Sequence, residues 1–245
     1  MISRVALVTG AGRNIGRAIA LALARESAAV VVNVRSSAQE AQAVVREIEA
    51  AGGQAMASLA DVSDRDAVDA MIAQVRQRYG RLDVLVNNAA VREETPFGQM
   101  EFEAWRHALA VCLDGAFHCT QAALPLLQAS GQASVINIGG LTAHTGASRR
   151  VHVVTAKAGL VGMTRALASE LSPQGITVNC VAPGLIDTAR PGGRTPHHHA
   201  AQRTLVGRAG APEEVAEAVC WLAGSHARYV TGQVIHVNGG AYLGG

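Results

Sequence analysis

The stretch RVALVTGAGRNIGRAIALALAR, residues 4–25, decides the fold of this chain. It begins with a short apolar run, RVALV, whose composition is typical of a buried strand. A glycine-rich turn at 9–16 leads into an alanine-rich segment that predicts a helix over 17–25. Glycine lets a backbone turn tightly and approach a ligand, and a helix N-terminus presents free N–H groups to an anion. A strand, a glycine-rich turn and a helix in this order predict a dinucleotide-binding unit.

Apolar runs alternate with helical patterns along the rest of the chain. Further strands are predicted over 30–33, 55–59, 84–87, 134–138, 176–181 and 234–237. Helices are predicted over 39–51, 64–79, 101–129, 152–171 and 213–223. This alternation predicts one α/β domain over residues 1–245, a Rossmann-like doubly wound parallel sheet of about seven strands. We expect its ligand at the C-terminal strand ends, where Gly10, Asn88 and Pro183 converge.

Composition fits a single globular domain and excludes several other classes of protein. Of the 245 residues, 49% are hydrophobic and 16% are charged, which is enough to bury one core without disulfides. The four cysteines lack metal-ligand spacing and are expected in the core. The net charge of +2 is small and dispersed, so no nucleic-acid partner is expected. No apolar segment reaches the roughly 20 residues that span a bilayer, so we expect no membrane partner and a cytoplasmic protein.

Further motifs follow the glycine-rich turn in a characteristic order. They are Asp61-Val62, LDVLVNNAA at 82–90, Pro183-Gly184 followed by Thr188, and YVTGQVIHVNGG at 229–240. Together they resemble the short-chain dehydrogenase/reductase family, and the resemblance covers essentially the whole chain. It implies hydride transfer between a nicotinamide dinucleotide and a small carbonyl or alcohol substrate. It also implies a homo-oligomer, either dimer or tetramer, paired through the segments 105–128, 152–171 and 234–245.

The resemblance places the cofactor on residues from the strand ends. They are Gly10, Arg13, Asn14, Ile15, Gly16, Arg35, Ser36, Asp61, Val62, Asn88, Ala89, Ala90, Lys157, Pro183, Gly184, Ile186 and Thr188. A carboxylate after the second strand would favour NAD(H), but Arg35 follows that strand and Arg13 lies nearby, so we expect NADP(H). The open alternative is that Arg35 is only a solvated turn residue. Asn14 replaces a glycine of the family pattern; asparagine tolerates a left-handed backbone and can donate to a phosphate.

Most of the catalytic set implied by the resemblance is missing. In the family, asparagine, serine, tyrosine and lysine act together; the tyrosine exchanges a proton with the substrate oxygen, and the lysine lowers the tyrosine pKa. Only the lysine is present, as Lys157. Val153 occupies the tyrosine position, Gly140 the serine position and Cys112 the asparagine position. Ordinary tyrosine-dependent reduction is therefore not predicted.

Two histidines lie near these vacated positions. His144 is the preferred replacement acid or base, because it follows the fifth strand on the loop that lines the substrate side in the family. His152 is a weaker candidate, since it is turned about 100° from Val153 on the same helix. A surface or packing role remains the open alternative for both histidines.

Weaker sequence signals concern the substrate. The candidate substrate contacts are Arg92, Thr142, Arg149, Arg150, His197, His198 and His199. Two arginines can clamp an anion, although adjacent arginines in a loop usually face water. The resemblance implies that residues 189–212 form a substrate lid, which would bring the three consecutive histidines towards the active site. Adjacent histidines in a helix cannot all face one ion, so no metal site is predicted.

Three functions remain open at this stage. The first is hydride transfer with NADP(H), in which His144, Lys157 or water carries the proton. The second is a redox-neutral enzyme, such as a lyase, isomerase, hydrolase or dehalogenase, on the same scaffold, because fold alone does not fix the reaction. The third is a non-catalytic subunit that binds cofactor or only pairs with an active relative, as the replacement of catalytic groups by valine, glycine and cysteine suggests.

Overall fold

Seven parallel strands form the central sheet of the protein. The structure is a computed structural model, and it describes residues 4–26, 28–189 and 203–244. The strands are β1 Arg4–Val8, β2 Ala28–Val34, β3 Gln54–Leu59, β4 Val84–Asn87, β5 Ser134–Ile138, β6 Thr177–Pro183 and β7 Val234–Val237. They lie in the order β3-β2-β1-β4-β5-β6-β7. The predicted α/β class with a doubly wound parallel sheet is confirmed.

Helices cover both faces of this sheet. They are α1 Asn14–Arg25, α2 Ala38–Ala50, α3 Arg65–Tyr79, α4 Phe102–Leu109, α5 Gly115–Ser130, α6 Thr142–Thr145, α7 Val151–Leu171 and α8 Pro212–Ala223. Apolar residues of α1, α2 and α8 build one core, and those of α3, α5 and α7 build the other. Residues of β1 alternate between the two, Ala6 and Val8 in the first and Val5 and Leu7 in the second. Within the described ranges, none of the helices is long and apolar enough to cross a membrane.

The helix predicted over 101–129 is interrupted in the structure. A π-helical turn, Ala110–Asp114, separates α4 from α5 and contains Cys112. Such turns are usually single and are frequent at functional sites. At the start of α5, Gly115 packs so closely on Val62 that an added Cβ would lie 2.6 Å from the valine Cγ2. The sequence pattern did not show this close approach, because apolar periodicity continues through the turn.

Asp83, one residue before β4, ties three elements together. Its carboxylate accepts hydrogen bonds from the Val5 N–H at 2.8 Å, from Ser130 Oγ at 2.5 Å and from the Arg81 guanidinium at 2.7 and 2.9 Å. Burial alone would raise the pKa of this carboxyl, but the hydrogen bonds outweigh burial and hold the pKa below its ordinary value. Asp83 therefore joins the start of β1, the start of β4 and the end of α5.

We expect Asp83→Asn to lower the free energy of unfolding by about 1–3 kcal/mol at pH 7, because buried hydrogen bonds to a charge are lost. The folded pKa lies below the unfolded value, so this stabilisation is present above about pH 4 and disappears as the pH falls further. Urea unfolding of the wild-type protein and of Asp83→Asn, from pH 7 to pH 3, measures the difference in their free energies of unfolding. Asp69→Asn is the control, since Asp69 pairs with Arg65 on the surface, where an ion pair contributes less than about 1 kcal/mol. Equal losses in the two variants would contradict the role given to Asp83.

Candidate active site

Two adjoining cavities open at the C-terminal ends of the strands. The larger cavity, of about 850 Å³, lies over β1, β2 and β4. The smaller cavity, of about 120 Å³, lies over β5 and β6. They share the lining residues Asn88, Ala90, Val91 and Arg92, so they form one continuous site. Ligand binding at this edge is typical of doubly wound sheets.

The structure brings all the predicted cofactor residues to this site. The larger cavity is lined by Gly10, Arg13, Asn14, Gly16, Arg35, Ser36, Asp61, Val62, Asn88, Ala89 and Ala90. The smaller cavity is lined by Ile15, Lys157, Pro183, Gly184, Ile186 and Thr188, together with Asn88 and Ala90. The residues were predicted from separate motifs, and the fold places them side by side.

The glycine-rich turn has a left-handed backbone at two positions. Gly10 has a φ of 62°, a left-handed conformation that favours glycine. Asn14 also lies in the left-handed region, with φ of 51°, so the turn keeps its shape without a glycine there. Its side-chain amide donates to the backbone oxygen of Ala189 at 3.1 Å. No side chain caps the N-terminus of α1, which leaves the first-turn N–H groups available to an anion.

Thr9 and Asn88 hold this turn against β4. The Asn88 amide donates to the backbone oxygens of Thr9 and Gly10 at 2.8 and 3.0 Å. In return, Thr9 Oγ1 accepts from the backbone N–H groups of Asn88 and Ala89 at 2.9 and 3.0 Å. Thr9 was missed as a site residue; the only signal for it in the sequence is a hydroxyl directly after a buried strand.

The corner of the larger cavity beyond β2 carries both signs of charge. Arg13 and Arg35 line it and are exposed. Sequence reasoning missed Glu40, on the first turn of α2, which also lines the cavity. Its carboxylate lies beside Gly12, where an added Cβ would be 3.0 Å from the Glu40 oxygen. The two arginines therefore favour a phosphate at this corner, and Glu40 opposes it.

Asp61, at the end of β3, completes this part of the cavity. Partial burial acts to raise the pKa of the carboxyl, but hydrogen bonds from the Ser63 hydroxyl and N–H, with Arg35 and His107 nearby, lower it. Asp61 Oδ1 accepts from Ser63 N at 2.9 Å. Asp61 therefore lines the larger cavity with a carboxylate that is ionised at neutral pH.

Lys157 is a buried cation in the smaller cavity. Its ammonium donates to the backbone oxygen of Ile138 at 2.5 Å, and the residue is 7% exposed. Burial lowers the pKa of Lys157, and Arg92 and Arg150 lower it further, while the thiols of two cysteines act in the opposite direction. The neutral amine is therefore reached at a lower pH than in an exposed lysine.

The three residues predicted at the tyrosine, serine and asparagine positions of the family differ in their surroundings. Val153 is 3% exposed and lines the same cavity as Lys157, which confirms that the two share a helix face. Gly140 also lines this cavity, and a Cβ added there would meet open space. Cys112 is 2% exposed within the π-helical turn and does not line the cavity.

Neither candidate histidine lines the smaller cavity. His144 lies on α6, and its ring packs against those of His236 and Tyr242, with centroids 4.7 and 5.6 Å apart. Burial, together with Arg165, lowers its pKa. His152 is completely buried at the start of α7, with no hydrogen bond to either ring nitrogen. Burial and then Arg150 lower the pKa of His152, against an opposing effect of Glu93.

The arginines proposed for the substrate separate into two groups. Arg150 is 8% exposed and lines the smaller cavity with Thr142, and Arg92 lines both cavities and donates to Thr188 Oγ1 at 3.3 Å. Arg149 has a φ of 64°, is exposed and lies outside both cavities. His197, His198 and His199 lie outside the described residues, as does most of the predicted lid at 189–212.

Comparisons with known proteins agree with this geometry. Residues 10–242 match the family model described as enoyl-(acyl carrier protein) reductase. A 3-oxoacyl-(acyl-carrier-protein) reductase of Staphylococcus aureus is 40% identical over 244 residues, 99% of each chain. The chain belongs to the short-chain dehydrogenase/reductase family. The protein is an oxidoreductase of this family.

Two further relatives extend the similarity. A 3-oxoacyl-(acyl-carrier-protein) reductase of Synechocystis is 41% identical over 247 residues, covering 99% of this chain and 98% of the relative. The crystal structure of a dehydrogenase/reductase from Sinorhizobium meliloti superimposes with a TM-score of 0.93 at 36% identity. That superposition covers 99% of this chain and 96% of the other. The family's fold is therefore present over its full length.

We expect Gly16→Ala to weaken NADPH binding by about tenfold or more, because overpacking costs about 1–3 kcal/mol. A Cβ at Gly16 would collide with the Gly10 oxygen and the Asn88 amide, so the glycine-rich turn must move. Fluorescence titration with NADPH measures the effect. Gly98→Ala is the control, since Gly98 is exposed outside both cavities and a Cβ there meets open space, so binding should be unchanged. Unchanged binding in Gly16→Ala would contradict the proposed turn.

Proposed function

We propose that the protein transfers hydride between NADP(H) and a small carbonyl or alcohol substrate, with Lys157 in place of a tyrosine as the proton carrier. The observation that carries the proposal is the composition of the smaller cavity. Lys157 and Val153 line it together, and among its described lining residues there is no tyrosine, histidine or carboxylate. Of the proton carriers considered from the sequence, Lys157 alone reaches the cavity.

The residues present fit a nicotinamide dinucleotide. The uncapped N-terminus of α1 and the left-handed turn at Gly10 suit a pyrophosphate, and the larger cavity has room for the adenosine half. Asp61 and Asn88 would border the adenine and ribose, and Lys157 and Thr188 would hold the nicotinamide half in the smaller cavity. When bound, such a cofactor supplies or accepts the hydride.

The chain's own groups then account for the proton. In the direction of reduction, the ammonium of Lys157 donates a proton to the oxygen of the substrate as the alcohol forms. In the reverse direction, the neutral amine accepts that proton. The bond to the Ile138 oxygen orients the nitrogen, and Val153 excludes water from one side of it. Thr142 and Thr188 contribute hydroxyl groups at the wall of the same cavity.

We propose NADP(H) rather than NAD(H) on the basis of Arg13 and Arg35. Both line the corner of the cavity beyond β2, where a ribose phosphate would lie. Glu40 lines the same corner, and its negative charge would repel the phosphate. The preference for NADP(H) therefore depends on the balance between two positive charges and one negative charge.

Glu40→Gln is expected to strengthen NADPH binding by about two- to fivefold, because a nearby like charge is removed. Arg35→Gln should weaken NADPH binding by a similar factor, and neither change should alter NADH binding much. Titrations with both dinucleotides measure these effects. Glu49→Gln, at an exposed position on the same helix outside the cavity, is the control and should change neither affinity. Equal effects on NADH and NADPH would show that this corner does not receive the phosphate.

Reduction is expected to lose activity as the pH rises through the lowered pKa of Lys157, because the donor must be protonated. In a plot of kcat/KM against pH, the falling limb should therefore be centred below the ordinary lysine pKa of about 10.4. Lys157→Arg should remove the limb, since arginine stays charged, and should lower turnover by about 100-fold or more. His144→Gln is the matched control and should keep both the limb and the turnover. A limb that persists in Lys157→Arg would assign the proton transfer to another group.

A redox-neutral reaction in the same cavity is the second candidate. A desolvated lysine with a lowered pKa also serves as a base or a nucleophile, and Lys157 has both properties. Substrate conversion that is independent of added NADP(H) would favour this candidate over hydride transfer.

The assembly proposed for the chain is a homo-oligomer of single-domain subunits. Phe117 on α5 is 48% exposed and Leu243 near the C-terminus is 80% exposed, in two of the three segments expected to pair. Residues 189–212 are proposed as the substrate lid, and Asn14 supports its first residue through the hydrogen bond to Ala189.

A further inference from the structure

Three rings that the proposed reaction does not use meet where α6, β7 and the segment after β7 come together. His144, His236 and Tyr242 contact one another, with ring centroids 4.7, 5.0 and 5.6 Å apart. His144 Nε2 and His236 Nδ1 are buried, and neither has a hydrogen-bond partner among the described residues. Because buried polar atoms are nearly always paired, two orphan nitrogens in one cluster require an explanation.

The charge on the two histidines decides whether this cluster is favourable. A neutral imidazole carries one N–H group, whereas an imidazolium carries two, and both must donate. Protonation of either ring would therefore leave a buried, charged N–H group without an acceptor, which is costly. Two imidazolium rings in contact would also repel each other. A cation is attracted to an aromatic face such as that of Tyr242, but this attraction is weaker than the cost of an unpaired buried charge.

The charged groups around the cluster act in the same direction as burial. Burial, and then Arg165 of α7, lowers the pKa of His144, while burial, and then His144, lowers that of His236. Neither α6 nor β7 has another titratable side chain, and Tyr242 is the one that faces the histidines from the segment after β7. On β6, beside β7, burial raises the pKa of Cys180 to about 11, so its thiol stays uncharged. No carboxylate of the described residues is among the groups that shift either histidine pKa.

The segment that these rings hold also supports a wall of the smaller cavity. Residues 238–242 form a turn, the C-terminal turn, in which Asn238 Nδ2 donates to the backbone oxygen of Tyr242 at 3.1 Å. Asn238 packs so closely on Gly184 that a Cβ added to the glycine would lie 2.7 Å from the asparagine Cβ. Gly184 in turn lines the smaller cavity. Release of the C-terminal turn would therefore remove the support of this wall.

We infer that His144, His236 and Tyr242 form a pH-sensitive latch, which holds the C-terminal turn against the cavity wall when both imidazoles are neutral and releases it when they are protonated. The inference depends neither on the proposed hydride transfer nor on the identity of the substrate. An uncharged side chain at either histidine position keeps the turn closed. The latch therefore responds to acid and takes no part in the reaction at neutral or alkaline pH.

The direction of the pH dependence follows from the lowered pKa values. Because each histidine has a lower pKa in the closed turn than its ordinary value of about 6.5, closure is favoured above about pH 6.5 and is lost as the pH falls further. A histidine that is protonated only in the released turn increases the released population about tenfold between pH 7.5 and pH 5.5. Two such histidines give a factor of about 100.

Hydrogen–deuterium exchange of the C-terminal turn tests the latch without relying on turnover. Protection factors of peptides covering residues 238–244 are measured in the wild-type protein at pH 7.5 and pH 5.5, with correction for the intrinsic effect of pH on exchange. They should fall about 10- to 100-fold at the lower pH, and those of β1 should fall less. All samples are kept at one protein concentration, because the same segment is expected to pair in an oligomer. Equal protection of the C-terminal turn at both pH values would overturn the inference.

Variants then assign the effect to the two histidines. His144→Phe combined with His236→Phe keeps three rings in contact and removes both titrating groups, so the C-terminal turn should be protected equally at both pH values. His226→Phe is the matched control, since His226 is exposed and lies outside the cluster, and it should behave as the wild-type protein does. Each single variant should lose about one factor of ten, which provides the same test if the double variant does not fold. A fall in protection as large in the double variant as in the wild-type protein would reject the latch.

Discussion

The hydrogen bonds of Asn88 are the constraint on which the site depends. In the strand order of this sheet, β1 lies between β2 and β4, so the chain's connections leave in opposite directions on either side of the β1–β4 pair. This is the switch point at which doubly wound sheets bind ligands. Asn88 spans it by donating to the oxygens of Thr9 and Gly10 from the end of β4. It thus fixes the glycine-rich turn and the neighbouring wall of the smaller cavity relative to each other.

Buried polar groups continue this arrangement below the cavity floor. Asn87 donates to Asn137 Oδ1 at 2.9 Å, and Asn137 donates to Thr164 Oγ1 at 2.9 Å. These bonds link β4, β5 and α7, which is the helix that carries Lys157 and Val153. Because such a network tolerates little displacement of its members, it holds α7 in register with the strand ends. The lysine nitrogen is therefore placed by the helix as well as by the Ile138 oxygen.

The sequence pattern predicted the fold correctly, but it did not predict contacts between residues that are far apart in the chain. The β1 strand and the glycine-rich turn were predicted because apolar runs and glycine spacing are properties of adjacent residues. Glu40 was not expected in the cofactor corner, since only the angle between β2 and α2 brings it beside Gly12. Likewise, the direction of His144 towards His236 and Tyr242 depends on β7, almost a hundred residues further along the chain.

The sequence also predicted correctly that Val153 and Lys157 share one face of a helix. An i,i+4 spacing puts two side chains on one face of any helix, so the shared position of Val153 and Lys157 followed from spacing alone. Which face points into a cavity does not follow from spacing. Arg150 and His152 show the difference, because Arg150 lines the cavity from the N-cap of α7 whereas His152, two residues later, does not line it.

Val153, at the position where the family resemblance predicts a tyrosine, gives the cavity an apolar wall beside Lys157. An apolar wall lowers the local dielectric response, so the mutual repulsion of Lys157, Arg150 and Arg92 is felt more strongly. In the free protein this repulsion adds to burial in lowering the pKa of Lys157. A lowered pKa lets the ammonium of Lys157 give up its proton more readily, which is the property that the proposed proton transfer requires.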